Sequence, residues 1–314
     1  MTGDRIDVHH HLFPPPFVAE LVLHSHYLAR GVARHWTPAT SLEDMDVAGI
    51  GTAFTSITAP GLALVARQRL FTVTRECNEF GARMVADHRA RFGLFASLPL
   101  PNIDDALREI DHALGALHAD GIALLTSYGD QWLGDPAFAP VMDELDRRGA
   151  VVYVHPTVAD CCRNLVPGVA DWVLEYPMDT ARTLASLLFG GTLARCTRIR
   201  FIFAHAGGVI PLLAEHLVRA AQVDPALAAL APNGVRAHLR ALHYDTALRM
   251  HEVGMTSALQ FVDASQLLLG TDAPLRRSTD QLAELHARNL PADVLRAIEH
   301  DNAHRLLDRY RATP

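Results

Sequence analysis

No apolar run in this chain approaches the roughly 20 residues that a membrane-spanning helix requires. Its start, MTGDRIDVHHH, lacks the basic stretch and apolar core of a secretion signal. The expectation is a cytoplasmic protein with no membrane partner. Cysteine is scarce: Cys77, Cys161, Cys162 and Cys196 are the only four. None forms a C-x-x-C pair and the adjacent two cannot bridge comfortably, so a disulfide scaffold is excluded and all four read as reduced bystanders. Basic clusters are missing as well. The 28 lysines and arginines against 35 aspartates and glutamates leave a formal net charge of -7, which argues against nucleic acid or an anionic membrane as partner. With no fixed-period repeat, low-complexity tract or linker, one domain over residues 1–314 is the simplest organisation.

What is present is core-forming material: 49% hydrophobic and 20% charged residues exclude disorder. Short β-rich runs recur with helical stretches between them. They are RIDVHH (5–10), TAFTSI (52–57), FGLFASL (92–98), GIALLTS (121–127), AVVYVHP from 150, RFIFAH from 200, LHYDTA from 242 and QLLLGTD from 266. Eight strands alternating with helices, several continuously apolar as two-sided burial demands, predict an α/β fold of the (β/α)8 TIM-barrel type. An open doubly wound sheet is the alternative.

Helix signals agree with that pattern. In SLEDMDVAG, Ser41 is positioned to cap with Asp44, and Gly49 to stop the helix. DPAFAPVMDELDRRG runs from Asp135-Pro136 to a stop at Gly149. Residues 159–180 form the longest irregular-looking insertion, after a strand end where barrels place functional loops. The tail from 293 reads as one or two C-terminal closing helices.

Three consecutive histidines stand in the first strand. Alternation puts Asp7, His9 and His11 on one face and Val8, His10 and Leu12 on the other. His9 and His11 therefore project together toward the barrel axis and can share a divalent ion, whereas His10 faces away and Asp7 takes a supporting role. His155, His205 and Asp272 each end another apolar run. With 18 histidines in the chain, a single one at a strand end is more often structural than functional. Four parallel strand ends that all carry metal-capable or acid–base side chains are hard to explain as core filling, because buried imidazole and carboxylate need partners. The mixture of imidazole and carboxylate suits one divalent metal, zinc or a first-row ion such as manganese. Trp36, Tyr128 and Trp172 are candidate aromatics around the cavity.

The ordered motifs DVHHH, VHP, HAGG, GTD and NAHRLL, spread from residue 7 to 307, resemble the amidohydrolase-2 branch of the amidohydrolase superfamily, which includes aminocarboxymuconate-semialdehyde decarboxylase. Within it, SLEDMDVAGIGTAFTSITAPG, TSYGDQWLGDPAF and EYPMDTAR are similar to 6-methylsalicylate decarboxylases. The resemblance implies a metal-dependent, non-oxidative decarboxylase acting on a small hydroxylated aromatic carboxylate, assembled as a homodimer or higher homo-oligomer. It also implies His9, His11, His155 and Asp272 as metal ligands and His205 as a catalytic histidine beside them. One departure stands out: where relatives carry a carboxylate-gripping arginine after HAGG, this chain has His216, which lacks the bidentate guanidinium fork.

Placement favours Asp272 as proton donor to the ring carbon, with His205 orienting it. The same ligands could instead activate water, and a metal-dependent hydrolase of a lactone, ester or amide is the rival reading. A barrel retained only for binding would be expected to have lost ligands.

Overall fold

The computed structural model describes residues 3–248 and 250–307. Eight parallel strands follow one another in chain order: β1 (Arg5–His11), β2 (Ile50–Ser56), β3 (Phe92–Ser97), β4 (Gly121–Leu125), β5 (Val151–His155), β6 (Arg200–Phe203), β7 (His243–Asp245) and β8 (Leu267–Leu268). The predicted (β/α)8 barrel is the architecture found. Its seam closes beyond the short β8, where Val8 N–H donates to Leu269 O (2.9 Å), Asp272 N–H to His9 O (2.9 Å) and His11 N–H to Ala273 O (2.6 Å). The segment carrying Asp272 is thereby stitched to the segment carrying His9 and His11.

Alternation sorts the strand residues between two apolar compartments. Phe54, Phe95, Ala123, Tyr153, Ile202 and Leu268 fill the barrel interior, while Ala53, Leu94, Leu124, Val154, Phe203 and Leu267 pack outward under the helices. Phe54, Phe95 and Tyr153 stack in series at 5.5 Å between centroids, each pair adding about 0.5–1.5 kcal/mol beyond its buried area. Leu306 and Leu307 plug the far end, and Arg200 donates to Leu306 O at 2.7 Å. The closing helices at Ala292–Arg296 and Asn302–Leu306 are as expected; the tail's last residues, 308–314, lie outside the described ones.

Strict alternation fails in β1. Asp7 pairs with Ala53 but His10 pairs with Thr55, so three steps on β1 match two on β2. This bulge resets the faces. Ile6 and Val8 join the interior cluster, and His9 and His11 still point inward, but Asp7 lies outward beside His10 rather than with His9.

Two helix expectations also change. Pro38–Ala48 is capped by Thr37 in a capping box with Thr40, while Ser41 is buried inside the helix; Gly49 does stop it, at φ 66°. The irregular segment ends earlier than expected, because residues 171–180 belong to the helix Asp171–Phe189 and Pro177 sits within it. Burial of Asp179, Thr183, Leu184, Leu187 and Leu188 holds that helix through the interruption. Gly149 ends its helix in the left-handed region, as expected. No described helix is long and apolar enough to cross a membrane.

Candidate functional site

The C-terminal ends of β1 and β5 and the turns after β6 and β8 converge on one buried cluster. Ligand-capable atoms of His9, His11, His155 and Asp272 all lie within 4.8 Å of one another. The His205 ring is 5.0 Å from that of His9 and 5.6 Å from that of His155. All five residues singled out from sequence meet here. His205 (φ 57°) and Asp272 (φ 63°) both hold the left-handed backbone region, a cost that folded chains bear where the surrounding structure fixes a side chain in place.

The hydrogen bonds of the imidazoles decide what they can bind. His9 Nδ1 donates to Asp245 Oδ2 (2.8 Å), His11 Nδ1 to Ser56 O (3.2 Å) and His155 Nδ1 to Pro156 O (2.8 Å). In each ring Nδ1 is committed, so Nε2 is the atom left for the cavity. This is the arrangement that orients metal-bound histidines. His9 Nε2 and His11 Nε2 lie 3.1 Å apart, and each is within 3.2 Å of Asp272 Oδ1. Among the described residues Asp272 Oδ2 meets no hydrogen-bond donor. Three imidazole nitrogens and one carboxylate oxygen at this spacing fit a divalent ion.

The charges agree with that fit. Burial alone would keep His9 neutral, but Asp245 and Asp272 raise its pKa to about 10. A proton on His9 thus stands between two buried carboxylates, where a cation would serve the same purpose. Burial favours the acid form of Asp272, yet His11 and His9 hold its carboxyl well below the usual range. Burial, with His11 and His9 nearby, pushes His155 well below the usual imidazole value.

Asp245 is the residue the sequence reading missed. Its carboxylate accepts from His9, from Tyr153 Oη (3.2 Å), and from the backbone N–H groups of His205 (3.0 Å) and Ala247 (2.9 Å). One buried acid therefore orients two of the site histidines. A lone acid in the short HYD strand was the available signal. The glycine of GTD has its reason here too, since a Cβ on Gly270 would sit 2.9 Å from the Asp245 side chain.

Asp7 and His10 form the outward support. Asp7 accepts from the backbone N–H of His9 (3.0 Å) and Thr271 (3.1 Å) and from the Thr271 hydroxyl (2.6 Å). His10 joins Asp7 to Ser41 Oγ at 3.2 and 2.9 Å, and Trp36 Nε1 donates to the same Ser41 hydroxyl at 2.9 Å. Trp36 is consequently buried behind the site and does not stack at its mouth. Trp172 is exposed, and His216 lies on the exposed face of the helix Ile210–Val223, so neither is brought to the cluster.

A small, half-open pocket lies beside His155, walled by Ile57, Leu62, Leu98, Leu100, Leu125 and Tyr128. The Tyr176 ring packs edge-to-face against His155, with 6.3 Å between centroids. The helix carrying it is anchored by Asp179, which accepts from Ser127 Oγ (2.8 Å) and Trp132 Nε1 (2.7 Å). The apolar walls of this pocket meet the metal-capable cluster at His155.

Residues 6–309 match the Amidohydro_2 family, described as amidohydrolase. The chain belongs to this amidohydrolase family. The decarboxylase yanB of Aspergillus niger is 34% identical over 98% of this chain and 88% of its own length. The 6-methylsalicylic acid decarboxylase acuB of Aspergillus aculeatus is 33% identical over 98% and 97%. A crystal structure of a dihydroxybenzoic acid decarboxylase from Polaromonas sp. JS666, with bound manganese and the inhibitor 2-nitroresorcinol, superposes at a TM-score of 0.87 with 19% identity, covering 99% of this chain and 98% of that one. That likeness establishes the shared barrel, and in this chain the strand ends bring His9, His11, His155 and Asp272 into a cluster that could hold a metal ion.

Proposed function

We propose that this amidohydrolase is a metal-dependent, non-oxidative decarboxylase of a hydroxylated aromatic acid of the 6-methylsalicylate class. The observation that carries the reading is end-to-end similarity to decarboxylases of that class, and the apolar slot beside the four-residue cluster supports it.

His9, His11, His155 and Asp272 would hold the ion. Zinc is the reading favoured by the nitrogen-rich donor set, and manganese is the competing choice. When bound, the ion supplies Lewis-acid charge that steadies the acid and the electron density it develops.

The remaining work falls to the chain. Ile57, Leu62 and Leu98 hold the ring flat and exclude water from the reacting carbon. Because its histidine neighbours hold Asp272 as a carboxylate, the proton it delivers comes from the bound acid's own ortho hydroxyl. Asp272 Oδ2 accepts that proton and passes it to the ring carbon bearing the carboxylate. As carbon dioxide leaves, the electrons of the broken carbon–carbon bond restore the aromatic ring, and the phenolate left behind is reprotonated from water. His205, beside His9, orients this transfer. The exposed apolar residues Leu165, Val166, Val169 and Trp172 support association of two copies.

The test joins metal analysis to product analysis. The purified enzyme should release carbon dioxide from 6-methylsalicylate, lose this on chelation, regain it with zinc or manganese, and place deuterium on the product ring in deuterated water. Metal-loaded protein that releases none from 6-methylsalicylate, salicylate or dihydroxybenzoates rejects the reading. Normal turnover by fully loaded Asp272→Asn would remove the proton relay alone.

A further inference from the structure

Cys161 and Cys162 lie in the turn Asp160–Cys162, five residues and more beyond the end of β5. Their sulfurs are 3.1 Å apart; Cys161 is exposed and Cys162 buried. The turn is fixed on both sides. Cys161 N–H donates to Asp130 Oδ1 at 2.7 Å, and Arg163 Nε to Asp160 Oδ1 at 2.9 Å. Asp160 and Arg163 also line a second pocket, which shares Leu62, Leu100, Leu125 and Tyr128 with the slot at His155.

We propose that Cys161 and Cys162 are a reversible thiol–disulfide site, converted to a vicinal disulfide by exchange with a low-molecular-weight disulfide. The unequal exposure assigns the roles. Cys161, reachable from solvent, attacks one sulfur of the incoming disulfide, expels one small thiol and carries the other half as a mixed disulfide. Cys162, already 3.1 Å away, then attacks Cys161 Sγ and expels the second small thiol. Two protein S–H bonds and one small-molecule S–S bond become one protein S–S bond and two small-molecule S–H bonds, so no further oxidant is required. The second step is intramolecular and fast because burial holds Cys162 against its target.

Adjacent Cα atoms are about 3.8 Å apart across a trans peptide, under the usual disulfide span of about 4.4–6.8 Å. The closed ring therefore yields readily to reductants, which makes the site reversible. The Cys161 thiol is pushed up to about 11, first by its hydrogen bond with Cys162. Exchange accordingly quickens by about tenfold per pH unit around neutrality, as the thiolate fraction rises. The pair would react in this way whatever reaction the metal cavity carries out.

The experiment treats the metal-loaded full chain with glutathione disulfide and reads intact mass without reductant. Wild type should lose two hydrogens and retain no glutathione, with the bond mapping to one proteolytic peptide holding both cysteines and reversing in dithiothreitol. Cys162→Ser should retain one glutathione, and Cys161→Ser none. Wild type that keeps a glutathione adduct, stays fully reduced after prolonged exposure at pH 9, or forms its bond through Cys77 or Cys196 overturns the proposal. Circular dichroism of both variants shows that each reacts as a folded protein.

Discussion

His9 donates its Nδ1 hydrogen to Asp245 Oδ2 at 2.8 Å, across 236 positions of sequence, and this bond leaves Nε2 as the atom facing the cavity. Asp245→Asn keeps an acceptor in place but removes the charge that fixes the ring and strengthens its basicity. Metal affinity should fall by about 10–100-fold, read by competition with a chromophoric chelator. Affinity equal to that of wild type would show that His9 is oriented without Asp245.

The same pair sets a pH dependence. In the metal-free protein His9 keeps its proton up to about 10, while His11 and His155 are shifted downward. Ion binding near neutrality must therefore displace one proton from His9. Affinity should rise by about tenfold per pH unit below pH 10, and calorimetry in buffers of different ionisation enthalpy should count one proton released. Stability of the metal-free chain runs the other way. A histidine raised from about 6.5 to about 10 contributes fully below pH 6.5, and its contribution is lost as the pH climbs through 10.

Much of this architecture is legible in the amino-acid order because burial writes itself as periodicity. Apolar runs leading into His155, His205 and Asp272 reveal both the barrel and its rim, and Gly49 and Gly149 mark helix ends that need positive φ. What stays hidden depends on neighbours distant in sequence. A period of two cannot show the bulge between Asp7 and His10. Asp245 looks like any acid in a three-residue strand until its four donors converge. Ser41 and Trp36 are ordinary helix and loop residues until His10 is placed between Ser41 and Asp7. Pro177 looks like a helix breaker because the packing that carries the helix past it is tertiary.

Ser41 offers a stability test away from the cavity. Its hydroxyl donates to His10 Nε2 while accepting from Trp36 Nε1, so Ser41→Ala strands two buried polar atoms at once. Unfolding free energy should drop by about 1–3 kcal/mol for the unsatisfied groups, measured by denaturant titration of the metal-loaded protein. A midpoint equal to wild type would mean that water or a rotated His10 replaces the lost hydroxyl.

Tyr176 takes up the question left by His216, which the fold places on an exposed helix face. Among the described residues no arginine lines the slot at His155, and Tyr176 offers a neutral donor for an acid oxygen outside the cluster. The Tyr176 ring is edge-on to His155, and among the described residues its hydroxyl meets no hydrogen-bond partner. Burial pushes that hydroxyl further above its ordinary value, so it remains a donor throughout the pH range in which the enzyme is assayed. A hydrogen bond to a charged group contributes about 1.5–3 kcal/mol. Tyr176→Phe should accordingly raise KM for the aromatic acid by at least about tenfold, with kcat changed far less and the KM ratio constant from pH 6 to 9. If kcat falls and KM does not, Tyr176 acts on the transition state instead. If neither moves, the hydroxyl faces solvent and the acid is held by the cluster alone.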